Sequence, residues 1–348
     1  MKASVLVSDR KLEYKDIDSD EVKENDVRID VKYTGICGSD VPRVLKHGAH
    51  FYPIVLGHEF SGEVTEVGNE VTSVKPGDHV VGIPLMPCFE CEDCKKGNFS
   101  LCKHYSFVGS RRNGSYAEEI VLPENNVFKI SNDIPFDKAV FFEPITVAYH
   151  AILQSKFEPN KTVAILGDGT IGLFALQILK CLGASKVVMF GRKEEKKNRA
   201  LALGADAWIC TTDEDFMKQA MDETDGKGFD YLYEAAGNTQ TMLYMFELAA
   251  NKSTACLIGT PTSNLELTPR LWENLNRKEF YLTGSWMSYS NPWPGVEWQE
   301  ANKLLKNGDI QIPSDMVDKV FDLEDAMDAF DLFDKGEVKG KVLLRCKK

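Results

Sequence analysis

Two patterns of apolar and polar positions divide the chain. Up to about residue 145, apolar residues alternate with polar ones in short runs separated by glycine and proline. Val27-Arg28-Ile29-Asp30-Val31 is one such run, and 62–68 is another. Successive side chains of a strand point to opposite faces, so each run predicts a strand with one buried face. Pro76-Gly77-Asp78 reads as a turn feeding a strand near His79. Beyond about residue 147, short apolar stretches at 162–166, 187–190, 208–210, 231–234 and 255–259 predict strands. Helical patterns fill the gaps, notably a buried helix at 171–182 and an amphipathic one at 194–203. Alternation of this kind predicts a parallel sheet with helices on both faces. After Gly284 the chain returns to loops, helices near 298–306 and 324–333, and a last strand at 340–345. The fold class expected is α/β: a doubly wound parallel-sheet domain (147–284) inserted in a mainly-β domain made of 1–146 and 285–348.

Composition narrows the function. Apolar residues make up 43% and charged residues 27% of 348, which excludes a chain disordered as a whole. Forty-one cations against 53 anions give a net charge of −12, with no basic patch beyond Arg192-Lys193 and Lys196-Lys197. Nucleic acid is therefore not an expected partner. No apolar run approaches the ~18 residues that a membrane span requires, and the N-terminal segment lacks an apolar signal core. A cytoplasmic location is expected. In a reducing compartment, nine cysteines with four inside fifteen residues point to metal rather than disulfides.

The loop Gly167-Asp168-Gly169-Thr170-Ile171-Gly172 follows a predicted strand and opens a predicted helix. That context makes it a dinucleotide site. Gly167 serves the tight turn, Gly169 admits a pyrophosphate, and Gly172 lets helix and strand approach. Thr170 and Ile171 open the helix whose free N–H groups face the phosphates. At the end of the second strand, where an acid would bind the adenosine ribose, the sequence reads Phe190-Gly191-Arg192-Lys193. A missing carboxylate, room at Gly191 and a cation at Arg192 favour NADP(H) over NAD(H). A shifted register would instead bring Glu194 to the ribose. Gly237, Gly259 and Thr260, near strand ends, are candidates to line the nicotinamide pocket.

Cys88, Cys91, Cys94 and Cys102 have the spacing of a tetrahedral thiolate site. Four sulfurs leave no open position, so a zinc held there would be structural. An iron–sulfur cluster is the chemical competitor. Upstream, Cys37 and Ser39 lie in Gly35-Ile36-Cys37-Gly38-Ser39-Asp40, and His58 and Glu59 lie in Gly57-His58-Glu59. Cysteine, histidine and carboxylate together can hold a zinc with one position open to substrate.

With these motifs and the Glu143-Pro144 pair, the chain resembles the zinc-dependent medium-chain alcohol and polyol dehydrogenases over nearly its whole length. Four longer stretches, 47–62, 107–118, 143–147 and 284–298, resemble the polyol-phosphate members. The resemblance implies a GroES-like catalytic domain carrying a Rossmann insertion, and two zincs per chain. Cys37 and His58 would bind the catalytic zinc, with Glu143 in the resting site and Glu59 as its exchanging partner. Ser39 would relay the proton, and Asp40 would hold the His58 ring from behind. The implied reaction is reversible hydride transfer between a secondary alcohol of a polyol phosphate and the nicotinamide, in a cleft between the domains. Arg43, Lys46, Arg111 and Arg112 are candidates for a phosphate handle, with at most one of the last two facing substrate. Tyr52 and Trp286 either wall the substrate pocket or, the favoured reading, fill the core. A homodimer or homotetramer is implied. A free polyol or an amino alcohol is the alternative substrate. A zinc-ribbon protein with a redox-sensing Rossmann domain is the alternative of another class.

Overall fold

The structure, a computed structural model, describes residues 1–261 and 263–347. The chain forms two units. One comprises Met1–Glu143, Tyr289–Lys306 and Ile312–Lys348; the other comprises Pro144–Ser288 and Asn307–Gln311.

In the first unit the predicted strands appear and extend. Asp26–Gly35 alternates in burial along its first half, with Val27, Ile29 and Val31 fully inside. It pairs with Glu59–Val67 and Glu119–Pro123, and its far end pairs with Lys341–Arg345, all antiparallel. His79–Gly82 and Val127–Lys129 continue the sheet on one side and Val317–Asp322 on the other. Two registers matter for chemistry: Gly35 lies opposite Glu59 on one neighbour and opposite Leu343 on the other. The turn after Gly35, the start of the Glu59 strand and the start of the C-terminal strand therefore converge.

In the second unit six parallel strands stand in the order Ala207–Cys210, Lys186–Gly191, Thr162–Leu166, Phe229–Glu234, Ala249–Leu257, Tyr281–Gly284. This is the doubly wound order, with the strand before the glycine loop at the centre. Central strands read as continuous apolar runs because helices cover both faces; Val187, Val188, Met189 and Phe190 are all buried. The helix Thr170–Cys181 has Gly172 to Leu179 inside without interruption. Cys181, at its last position, is exposed. The helix expected at 194–203 is instead a tight turn, Glu194–Lys196, followed by a short helix, Lys197–Ala202.

Residues 307–311 were expected in the catalytic domain and belong instead with the nucleotide unit. Gln177 ties this segment down: its buried amide donates to the Gln311 carbonyl (3.2 Å) and accepts from the Gln311 N–H (2.7 Å). Among the described residues, no helix is long and apolar enough to cross a membrane.

Candidate metal centres and nucleotide site

The four-cysteine segment closes on itself. Cys88, Cys91, Cys94 and Cys102 bring their sulfurs within 4.8 Å of one another. Contacts of 3.5 Å (Cys102 to Cys88), 3.9 Å (Cys88 to Cys94) and 3.9 Å (Cys91 to Cys102) are close to the edges of a tetrahedron. Zinc–sulfur bonds of about 2.3 Å give edges of about 3.8 Å, so the cradle fits one zinc ion. Backbone N–H groups of Cys91 and Cys88 point at Cys88 and Cys102 sulfurs, each at 3.3 Å. Such bonds stabilise thiolate over thiol; the Cys94 N–H in the same way draws the Cys91 thiol down to about 6. All nine cysteines are free. The segment rests on an aromatic cluster in which Trp293 stands edge-on to Phe89 (5.3 Å) and Phe99 (5.2 Å) and stacks on Tyr289.

The second centre forms where the three strands converge. Cys37, His58 and Glu59 bring ligand atoms within 4.8 Å of one another, and His58 and Glu59 are buried. Gly57 makes the approach possible: its φ is +93°, and a Cβ there would lie 2.3 Å from the ring of Tyr116. Asp40, fully buried, organises the back of the site. It accepts from the Tyr116 hydroxyl (3.1 Å), the Cys37 N–H (3.3 Å) and the Arg43 guanidinium (3.0 Å). Its carboxylate stands 3.7 Å from His58 Nδ1, too far for a hydrogen bond, and that nitrogen has no other partner. Asp40 thus faces the ring as expected, at ion-pair rather than hydrogen-bond distance. Ser39 is exposed, and its hydroxyl donates to Cys37 Sγ (3.4 Å) and accepts from Arg43 (3.0 Å).

Glu143 falls outside the close triad, although it was the expected resting ligand. Glu59 is the carboxylate grouped within 4.8 Å of Cys37 and His58. Burial, then the Glu59 charge, pushes the Glu143 carboxyl up to about 7. Burial and Glu59 likewise push the Cys37 thiol well above its usual range. A divalent cation reverses that balance by stabilising thiolate and carboxylate together. Mixed sulfur, nitrogen and oxygen donors in a buried cluster suit zinc.

Lys341 was missed in the sequence. Its ammonium pairs with Glu59 Oε2, and both groups are nearly dry. Burial alone would lower its pKa, but the charges of Glu59, Cys37 and Glu143 outweigh burial and raise it. A lone lysine in a C-terminal strand gives no signal; only the pairing of Leu343 with Gly35 brings it here.

The substrate candidates scatter. Arg43 is committed to Asp40 and Ser39. Lys46 is exposed just past the helix Asp40–Leu45. Arg111 stacks on Tyr105, 4.5 Å from the ring centre. Arg112 turns inward to the Val121 carbonyl (3.3 Å). The core reading of Tyr52 and Trp286 is corrected: they are 39% and 53% exposed, and the Tyr52 hydroxyl bonds Asp9.

In the nucleotide unit, Gly172 is required where the helix crosses the loop, since a Cβ would sit 2.0 Å from the Gly167 carbonyl oxygen. At Gly169 an added Cβ meets nothing within 4 Å, which leaves the loop open to a pyrophosphate. A pocket of about 610 Å³ adjoins the loop, lined among others by Asp168, Gly191, Arg192, Lys193 and Lys196. Asp168, in the loop itself, brings a carboxylate to this pocket, while the end of the second strand carries none at Gly191. Gly237 and Gly259 meet at the strand ends, tied by Glu234. Its carboxylate accepts from the N–H groups of Ala236 and Gly237, and its carbonyl accepts from the Gly259 N–H. Thr260 follows, exposed. Glu234, fully buried, was also missed; an acid closing the apolar run Tyr231-Leu232-Tyr233 was its only signal.

Comparison with known proteins agrees with these sites. Residues 23–132 match the alcohol dehydrogenase GroES-like domain, and residues 170–306 match the zinc-binding dehydrogenase family. Galactitol 1-phosphate 5-dehydrogenase of Escherichia coli is 42% identical over 82% of this chain and 83% of its own. The E. coli galactitol-1-phosphate dehydrogenase crystal structure superposes with a TM-score of 0.93, at 38% identity, over 99% of this chain and all of that one. D-arabitol-phosphate dehydrogenase of Enterococcus avium is 34% identical over 93% of this chain and 91% of its own. A zinc-binding dehydrogenase of Sinorhizobium meliloti, bound to NADP, superposes with a TM-score of 0.88 at 28% identity, covering 99% of this chain and 98% of that one. The chain belongs to the zinc-dependent medium-chain alcohol and polyol dehydrogenases, and it is an oxidoreductase of that family.

Proposed function

We propose that this chain oxidises a secondary alcohol of a polyol phosphate to the ketose phosphate, reversibly, with a nicotinamide dinucleotide as hydride acceptor. The observation that carries this reading is the buried triad Cys37, His58 and Glu59 beside the exposed hydroxyl of Ser39. The names of the E. coli and E. avium relatives supply the substrate class. Cys37, His58 and Glu59 would hold the catalytic zinc, with Glu143 close enough in charge to exchange with Glu59; the four lobe cysteines would hold a second, structural ion. Zinc bound there supplies Lewis acidity that lowers the pKa of a secondary alcohol.

The remaining work falls to side chains. Ser39 stands within hydrogen-bond reach of Cys37 Sγ, takes the alcohol proton at its Oγ and passes it to solvent. Arg43 fixes that hydroxyl, and Asp40 fixes Arg43 and faces the His58 ring. Lys341 prevents the buried Glu59 carboxylate from standing uncompensated. The glycine loop and its helix hold the dinucleotide phosphates, and the turn tied by Glu234 lines the nicotinamide end. Lys46, exposed just past the helix Asp40–Leu45, is the cation offered to a substrate phosphate.

Absorbance at the wavelength of reduced nicotinamide, with a polyol 1-phosphate as substrate, tests the reading. Turnover is expected. Nucleotide binding without turnover against any polyol or polyol phosphate would favour the redox-sensing zinc-ribbon protein instead.

We also propose a homodimer. The strand Tyr281–Gly284 lies at the sheet edge with Tyr281 and Leu282 exposed, and an open edge of this kind is a template for a second copy. Light scattering should report at least two chains per particle, and a monomer at micromolar concentration would contradict the assembly.

A further inference from the structure

We infer that Asp168, the second residue of the glycine loop, reads the adenosine ribose and selects NAD(H) over NADP(H). The inference rests on the nicotinamide-dependent reading above.

In a dinucleotide-binding sheet, ribose hydroxyls are bound by an acid at the end of the second strand. That position is Gly191 here, the last residue of Lys186–Gly191. The space beside it is not vacant. A Cβ built on Gly191 would lie 2.1 Å from Asp168 Oδ2 and 2.6 Å from the Trp208 ring. The loop carboxylate therefore stands where a strand-end side chain would begin. Glycine at 191 and aspartate at 168 make a matched pair: the acid has moved from strand to loop, and the strand has given up its side chain to admit it.

Asp168 is well placed to act. It is 9% exposed and lines the 610 Å³ pocket together with Gly191. Oδ2 accepts from the Trp208 indole N–H at 3.2 Å, and Lys196 Nζ reaches Oδ1 at a long 3.5 Å. An ionised carboxylate has about four acceptor sites, so these two contacts leave capacity for ribose hydroxyls. The Trp208 bond also fixes the group. Swinging the carboxylate away would leave a buried indole N–H unpaired, which is costly.

Discrimination follows from charge. A 2′-phosphate would place a dianion beside this held carboxylate in a part-buried pocket, where like charges repel strongly. Arg192, Lys193 and Lys196 also line the pocket. Lys196 is already paired with Asp168; Arg192 and Lys193, which follow Gly191, oppose this repulsion, and the carboxylate held by Trp208 outweighs them.

Titration calorimetry on the full-length protein tests this without turnover, with ADP-ribose and 2′-phospho-ADP-ribose as probes. The wild type should bind ADP-ribose roughly tenfold or more tightly than its 2′-phosphate. Asp168→Asn keeps the shape and an acceptor for Trp208 but removes the charge, and it should shrink that ratio several-fold or invert it. Tighter binding of the 2′-phosphate by the wild type would overturn the inference and leave the dehydrogenase reading intact. An unchanged ratio in folded D168N would do the same. Binding of neither probe would overturn both. Asp168→Ser, which also removes the charge, carries the same expectation should D168N fail to fold.

Discussion

Cys37→Ser is expected to lower kcat by about 10³-fold or more and to reduce bound zinc from two ions per chain to one, with little change in melting temperature. Cys37 lies in the turn beyond Gly35, where it bonds Ser39 and Asp40. Serine preserves the volume and the backbone N–H bond to Asp40. It removes the soft sulfur ligand, and a hydroxyl beside Glu59 and His58, harder still to ionise, binds zinc far more weakly. Lewis-acid stabilisation of developing charge is worth several kcal/mol, and each 1.36 kcal/mol is about a factor of ten in rate. Metal analysis alongside steady-state kinetics reads both effects. Full activity in the variant would remove Cys37 from the catalytic centre.

Cys94→Ser in the other centre is expected to act on stability first. Cys94 is buried, and its thiol is pushed up to about 12, chiefly by desolvation, when no cation is counted. Zinc converts that unfavourable cluster of thiols into a closed site whose binding energy is folding energy. Losing one of four ligands should cost about 4 kcal/mol, which corresponds to roughly 10 °C in Tm for a domain of this size. The loss should be local. Residues 88–102 rest on the Phe89, Phe99, Tyr289 and Trp293 cluster, which persists without the ion. Limited proteolysis should therefore cut first within 88–102. A variant with wild-type Tm and an intact segment would show that the cysteines hold no structural ion.

How far the sequence spoke depended on where each partner came from. Local constellations were legible. The four lobe cysteines span fifteen residues, and the glycine loop sits between its own strand and helix, so spacing alone defines each. Cys37, His58 and Glu59 could be paired through motif recognition, and the register of Gly35 with Glu59 explains why they meet. Partners set by distant strand pairing were silent. Lys341 reaches Glu59 only because the C-terminal strand lies beside Asp26–Gly35, and Tyr116 reaches Asp40 across 76 residues. The nucleotide pocket is the instructive case. Gly191, taken with its strand alone, suggests room for a phosphate. A Cβ at Gly191 would meet the carboxylate of Asp168, 23 residues earlier in the glycine loop. An unusual acid in the loop and a missing acid on the strand were both visible; their connection required three dimensions.

The most direct measurement of the central claim is a matched comparison of kcat/KM. The zinc-loaded enzyme is assayed with a polyol 1-phosphate and with the same polyol unphosphorylated, at one cofactor concentration. The account predicts that the phosphate ester is preferred by about 10²-fold or more, since a charged group that meets a lysine in the transition-state complex contributes roughly 2–3 kcal/mol. Equal efficiency on the two substrates, or a preference for the free polyol or an amino alcohol, would contradict it.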